Sequence, residues 1–320
     1  MIKHILLGMM TLLVLSAVGC GEIPPATSPN SHPELTAFPA PCQTLPAGQA
    51  ANFTPGIPDT GSTSATPCGQ IFLPAILSAA QSSAFCPAIQ NSLAYLTARY
   101  NPTLGLLNEA PVAAPHTYWL TNDNALAAYA FAQLGQADLS ATIKKSILLY
   151  GSDTNGLIEV IWGLPVTFPP HDATQVLLQT ISGVEIWQEF HDRGEILIEW
   201  AGYADLRFYD ALNEFHQGAQ SAALSTYAGA LELYDGAGFQ DAAFSDAYAT
   251  YKLALALYVG AKIQAPNPNR EQMLATLLSM QSPNGGFRTD YTDLQTPQGD
   301  TNTETSALAL LALATSGCNP

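Results

Sequence analysis

The densest run of side chains able to do chemistry is His116-Thr117-Tyr118-Trp119-Leu120-Thr121-Asn122-Asp123-Asn124. Tyr118 and Trp119 offer flat faces on which a sugar ring can stack, and Asn122 can hydrogen-bond its hydroxyls. Asp123 supplies a carboxyl for general acid or base work. Glu199, Trp200, Tyr203 and Asp205 form a second cluster, and Asp235, Asp241 and Asp246 a third; Glu304 opens the last apolar segment. Paired carboxylates suit glycosidic cleavage, in which one protonates the leaving oxygen and the other activates water or attacks. The catalytic candidates are therefore Asp123, Glu304 and Asp235. The substrate-contact candidates are Tyr118, Trp119, Asn122, Trp200, Tyr203 and Lys252.

Each candidate has a plainer reading. Carboxylates in a first helical turn favour the helix dipole, and Asn122 or Asp123 can satisfy exposed N–H groups. Lys252 is a rare base among apolar neighbours; it either pairs with a buried carboxylate or anchors an anionic substrate. His171, His191 and His216 have no ligand spacing, and no CxxC or CxH pattern exists, so no metal or cofactor is expected. Asp153-Thr154-Asn155-Gly156 matches only the start of a calcium loop, because Trp162 stands where an acid is needed. No serine-hydrolase elbow, phosphate loop or dinucleotide fingerprint is present.

The elements that must position these residues are read from periodicity. Apolar residues at helical spacing predict helices over 75–81, 88–100, 138–150, 202–215, 219–234, 246–263 and 270–281, with one more ending at Leu134 and another from about Ser306. Residues 175–181 and 184–190, split by Ser182-Gly183, predict a β-hairpin, and 194–200 a third strand. A polar–Gly–apolar turn recurs at Gly105, Gly156, Gly194, Gly238 and Gly286, with spacings of 51, 38, 44 and 48 residues. That interval is two helices plus their connections.

Gln281-Ser282-Pro283-Asn284-Gly285-Gly286-Phe287, followed by Thr303-Glu304-Thr305-Ser306-Ala307-Leu308-Ala309-Leu310, resembles the α/α-toroid repeats of terpenoid cyclases, prenyltransferase β-subunits and complement thioester domains. It is also similar to the (α/α)-barrels of glycoside hydrolases, polysaccharide lyases and sugar epimerases. The resemblance is strongest over residues 270–315. It implies a mainly α fold: an α/α toroid of about five to six helical hairpins with a small β-hairpin insertion. The cyclase DxDD motif, the zinc-binding cysteine of the prenyltransferases and the Cys-Gly-Glu-Gln thioester run are all missing. What the resemblance then implies is a sugar-binding cup, of hydrolase or lyase type, with a non-catalytic binding or scaffold protein as the alternative.

The chain around this domain has its own signals. Lys3 and His4 precede an apolar run over residues 5–18, the length of a signal-peptide core and too short to span a bilayer comfortably. It ends Ser16-Ala17-Val18-Gly19-Cys20, similar to a bacterial lipobox. Residues 1–20 are thus expected to be a signal peptide with acylation at Cys20, making an exported cell-envelope lipoprotein, or a secreted protein. Residues 21–70 read as a Pro/Ser/Thr-rich tether and 71–320 as the domain; eleven of the 23 prolines lie between Pro24 and Pro74, too close together for a packed core. Cys42, Cys68, Cys86 and Cys318 are even in number, as two disulfides require, with three pairings open. A net charge of −16 argues against a nucleic-acid partner. The expected partners are an oligosaccharide or polysaccharide, and a membrane through the lipid at Cys20.

Overall fold

The computed structural model describes residues 79–293 and 295–315. The expected signal peptide, acylation at Cys20 and tether, and Cys42, Cys68 and Cys318, lie outside them. Cys86 is thus the one cysteine within them, and it packs against the core.

The fold is mixed α and β, which corrects the expected all-helical ring. Among the described residues there are eight α-helices: α1 Ala79–Arg99, α2 Leu126–Gln133, α3 Ala137–Tyr150, α4 Ala204–His216, α5 Gln220–Leu231, α6 Thr250–Ile263, α7 Arg270–Ser279 and α8 Thr303–Ala314. Three small sheets accompany them among the described residues, and no clear toroid results. The reason is local. Several segments that read as polar connections pair as strands, because they hold β-branched and aromatic residues around glycine turns. β1 Tyr100–Asn101 pairs with β2 Leu106–Leu107. β6 Tyr248–Ala249, β7 Arg288–Tyr291 and β8 Pro297–Thr301 form a second sheet, so Tyr248 belongs to a strand and not to the helix carrying Lys252.

The third sheet has the order β3-β5-β4, from β3 Thr117–Trp119, β5 Val184–Phe190 and β4 Thr174–Ile181. The β4–β5 hairpin turns at Ser182 and Gly183, both at positive φ (50° and 83°), the two-residue geometry that matches strand twist. Its third strand is β3, running parallel to β5. Residues 194–200 contribute only the bridge His171–Ile196. In α1 the helix is continuous through Pro87, where the sequence predicts a break.

The recurring glycine turn is real, but it is a side-chain device. Asn101 Oδ1 accepts the N–H groups of Thr103 and Leu104, and Asn155 Oδ1 those of Leu157 and Ile158. Asp235 Oδ1 accepts those of Ala237 and Gly238, and Asn284 Oδ1 that of Gly286. An Asn or Asp side chain thereby stands in for a backbone carbonyl in each turn. Gly194 has no such partner, and its turn does not belong to the series.

α2 packs on α3, α4 on α5 and α6 on α7. The core runs along α4, α6, α8 and α2, each packed on the next. Residues Thr250–Gly260 of α6 and Thr303–Leu313 of α8 are all buried. Their Ala- and Leu-rich sequences are apolar around the whole circumference, as central helices must be. Among the described residues no helix is long and apolar enough to cross a membrane.

Candidate functional site

The polar exception to this core lies at helix starts. Immediately before α2, residues 120–125 form a π-helical turn in which Thr121, Asn122, Asp123 and Asn124 are all buried. Asp205 is in the first turn of α4, Thr250, Tyr251 and Lys252 in that of α6, and Thr303 to Ser306 in that of α8; all are buried. Unpaired N–H groups at helix starts attract acceptors and negative charge, which explains why carboxylates gather there.

Tyr251 joins these ends. Its hydroxyl donates to Asp205 Oδ2 at 3.0 Å. Burial, then the charges of Asp205, Asp241 and Glu304, hold its phenol well above the ordinary tyrosine range. Tyr209 lies one turn beyond Asp205 on α4. It is shifted the same way by burial and by the charges of Glu304, Asp205 and Glu189. One polar centre therefore collects carboxylates from α4, α8, β5 and the segment before β6. Asp123 acts on Tyr95, which is pushed up to about 12, chiefly by burial.

Two bases answer these acids. Lys252 Nζ pairs with Asp241 Oδ2, and both side chains are enclosed. The same oxygen accepts the Ala204 N–H at 2.8 Å, so Asp241 fixes the start of α4 against α6. His191 Nε2 lies 3.0 Å from Glu189 Oε1, which also accepts from Asn122 Nδ2 at 2.6 Å. Gln175 Nε2 donates to Glu189 Oε2 at 2.9 Å. Burial alone would raise the Glu189 carboxyl; these partners outweigh it and hold it well below the usual carboxylate range. Asn155 donates to Asn122 Oδ1 and completes the network.

One atom stands out. Asp205 is 4% exposed, and its Oδ1 is buried with no hydrogen-bond partner. The hydroxyl of Thr250, on a residue that is 0% exposed, is in the same condition. Leaving such groups unsatisfied costs about 1–3 kcal/mol each, more for a charge.

The structure redistributes the expected residues. It brings Glu304 and Lys252 to this centre, Asn122 to its Glu189 side, and Asp123 onto a turn packed against α8. Asp235 belongs elsewhere: it caps its own glycine turn and accepts the Tyr248 hydroxyl at 2.5 Å. Tyr118 is buried and accepts from Asn101 Nδ2. Trp119 lies 5.7 Å from Trp187 and donates to Glu109. Trp200 packs edge-on against Phe168, and Tyr203 packs against the core as the residue before α4. The sequence reading places Asp205 in a cluster without a role of its own and gives Tyr209, Glu189 and Trp187 none. Asp205 and Tyr209 at i, i+4 were a usable signal, because that spacing places both on one helix face. Glu189 had none, since a strand Glu is ordinarily solvated.

Among the described residues no group of three or more His, Cys, Asp or Glu side chains is arranged to hold a metal ion. No protein-family model, curated protein or solved structure matches this chain.

Proposed function

We propose that this protein is a carbohydrate-active enzyme of the cell envelope, exported and held at a membrane through Cys20, with its site at the meeting of the α4, α6 and α8 starts. The observation that carries the reading is the Asp205 carboxylate: enclosed, anchored through one oxygen by Tyr251, and left with the other oxygen unpartnered. Burying carboxylates costs several kcal/mol each, and a purely structural core has no use for this many. Perturbed groups gathered at one place mark functional sites more often than packing does. In this reading Asp205 and Glu304 are the acid–base pair for cleavage of a glycosidic bond, and the Tyr251 hydroxyl, which donates to Asp205 Oδ2, orients that carboxyl.

The test is reducing-end release from a panel of neutral and charged glycans, on the full chain and on Asp205→Asn and Glu304→Gln. Turnover falling at least about 100-fold in both variants, with their melting temperatures retained, supports the proposal. A second reading, a non-catalytic binding or scaffold protein, is favoured by enclosure: Asp123 is 0% and Glu304 2% exposed. Glycan binding without turnover would select it. Neither binding nor turnover would remove the carbohydrate reading.

A further inference from the structure

We infer that the outer edge of β4 is a self-association surface, on which a second copy of this chain pairs its own β4 antiparallel about a two-fold axis. The inference is independent of the reaction proposed above.

The first ground is an open ladder. β4 lies at the margin of the β3-β5-β4 sheet and pairs on one side with β5. The place of a fourth strand is begun by the chain itself and then given up. Just ahead of β4, the Asp172 N–H donates to the Glu195 carbonyl and the Leu197 N–H to that of Pro170, so residues 195–197 cover this side. The cover ends at Gly194, where a Cβ would stand 3.6 Å from Thr174 Oγ1. From residue 175 to 181, no backbone group among the described residues pairs with the outer side. Such a row of free N–H and C=O groups is a template for another strand.

The second ground is what the other edges have and β4 lacks. β3 has three residues, and the Glu109 N–H occupies its Thr117 carbonyl. β6 has two residues. β8 carries Pro297, Gly299 and Asp300, and Asp300 Oδ2 accepts the N–H groups of Val112 and Ala113. Shortness, proline, charge and a covering loop are the devices that keep edges from pairing. β4 has eight residues and contains no Pro, Gly or charged side chain. Its one irregularity is the bulge between Leu177 and Gln179, which leaves regular runs over 174–177 and 179–181.

The third ground is apolar surface. Among the described residues, six of the eight well-exposed large apolar side chains gather around this edge. Val176 and Leu177 are on β4, and Ile196 and Ile198 belong to the covering segment and its continuation. Leu148 and Leu149 are in the last turn of α3, just before Gly151, where a Cβ would stand 2.8 Å from Leu178 Cδ1. A lipid surface would cover the apolar groups and leave the ladder unsatisfied. A second copy answers both, because its β4 brings the same free row and the same apolar flanks, and a two-fold axis satisfies the two edges at once. Charge points the same way. In a chain of net charge −16 two copies repel, and an uncharged strand is where they meet at least cost.

The experiment is sedimentation velocity of the full chain over roughly 2–200 µM, with amide hydrogen exchange at both ends of that range. The expected species is a dimer with a micromolar dissociation constant, the scale of a small interface. Added salt is expected to tighten it, because salt screens the repulsion between two acidic copies while the strand pairing carries no charge. Amides of residues 175–181 are expected to exchange at least about tenfold more slowly at the high concentration. Val176→Lys and Thr180→Lys, both at exposed positions, each set like charges at the edge. Each is expected to raise the dissociation constant at least about tenfold and to leave the monomer's melting temperature unchanged. A monomer throughout would overturn the inference, whether its β4 amides are free or are protected at every concentration by the chain's own residues. A dimer indifferent to both lysines, a dimer whose β4 amides stay unprotected, or assemblies that grow past two copies would overturn it as well.

Discussion

Lys252 and the backbone N–H of Ala204 share one oxygen of Asp241. That oxygen couples the first turn of α6 to the first residue of α4, so the pair is a structural joint of the polar centre. Asp241 Oδ1 meanwhile accepts the N–H of Ala243.

Lys252→Met is therefore expected to be strongly destabilising, by about 3–5 kcal/mol, because it strands an enclosed carboxylate. The double variant Lys252→Met/Asp241→Asn should recover much of this loss. Urea unfolding of both variants checks it. A Lys252→Met protein as stable as the parent would show that the pair does not hold α4 to α6.

Glu189→Gln should lower stability at neutral pH by about 1.5–3 kcal/mol, the worth of a hydrogen bond to a charge. The folded carboxyl is depressed, burial notwithstanding, by His191 and Gln175. Its contribution is then fully present above the unfolded value near 4.3 and is lost as pH falls below it. The gap in melting temperature between parent and variant should thus hold from pH 7 to about pH 5 and narrow, without closing, by pH 3.

Asp210 behaves oppositely. Burial and the neighbouring Glu214 raise its carboxyl from 3.8 to about 6. A raised acid favours the folded state while protonated, so stability falls as pH rises from about 4 to about 6. Asp210→Asn should raise the melting temperature at pH 7 and leave it unchanged at pH 3.5. The gain should stay below about 1 kcal/mol, because the group is partly solvated.

Gly285→Ala should cost at least about 2 kcal/mol. Gly285 has φ +89°, and a Cβ there would stand 2.2 Å from the backbone carbonyl oxygen of Asn91 on α1. Neither the turn nor the helix backbone can yield cheaply. Thermal melts of this single variant are sufficient to test it.

Helices were the legible part of this sequence, because periodicity survives where one face is buried. Arg270–Ser279 and Ala137–Tyr150 fall within about two residues of their expected ends. The β4–β5 hairpin was legible from Ser182-Gly183. What misled was the glycine turn: its repetition suggested a repeated helical hairpin and hence a ring, whereas its cause is an Asn or Asp side chain closing a turn. Asp235 closes one of these turns, and in sequence a capping carboxylate and a catalytic one look alike. Glu304 and Lys252 stand out in the sequence because a charge among apolar residues needs a reason. Trp187 and Glu189 do not, because the side chains they meet, Trp119 and Asn122, lie more than sixty residues earlier in the chain.

The contact between α1 and α8 has a consequence for how the molecule is made. α8 is the last described helix and is enclosed by α1, α2 and α6. Chain growing from its amino end therefore presents the apolar faces of α1, α2 and α6 with their shared partner still missing. No early portion can close by itself, and the seam seals only when residues 303–314 arrive. Contacts this distant along the chain are slow to form. Until then the nascent chain exposes apolar surface that is open to aggregation.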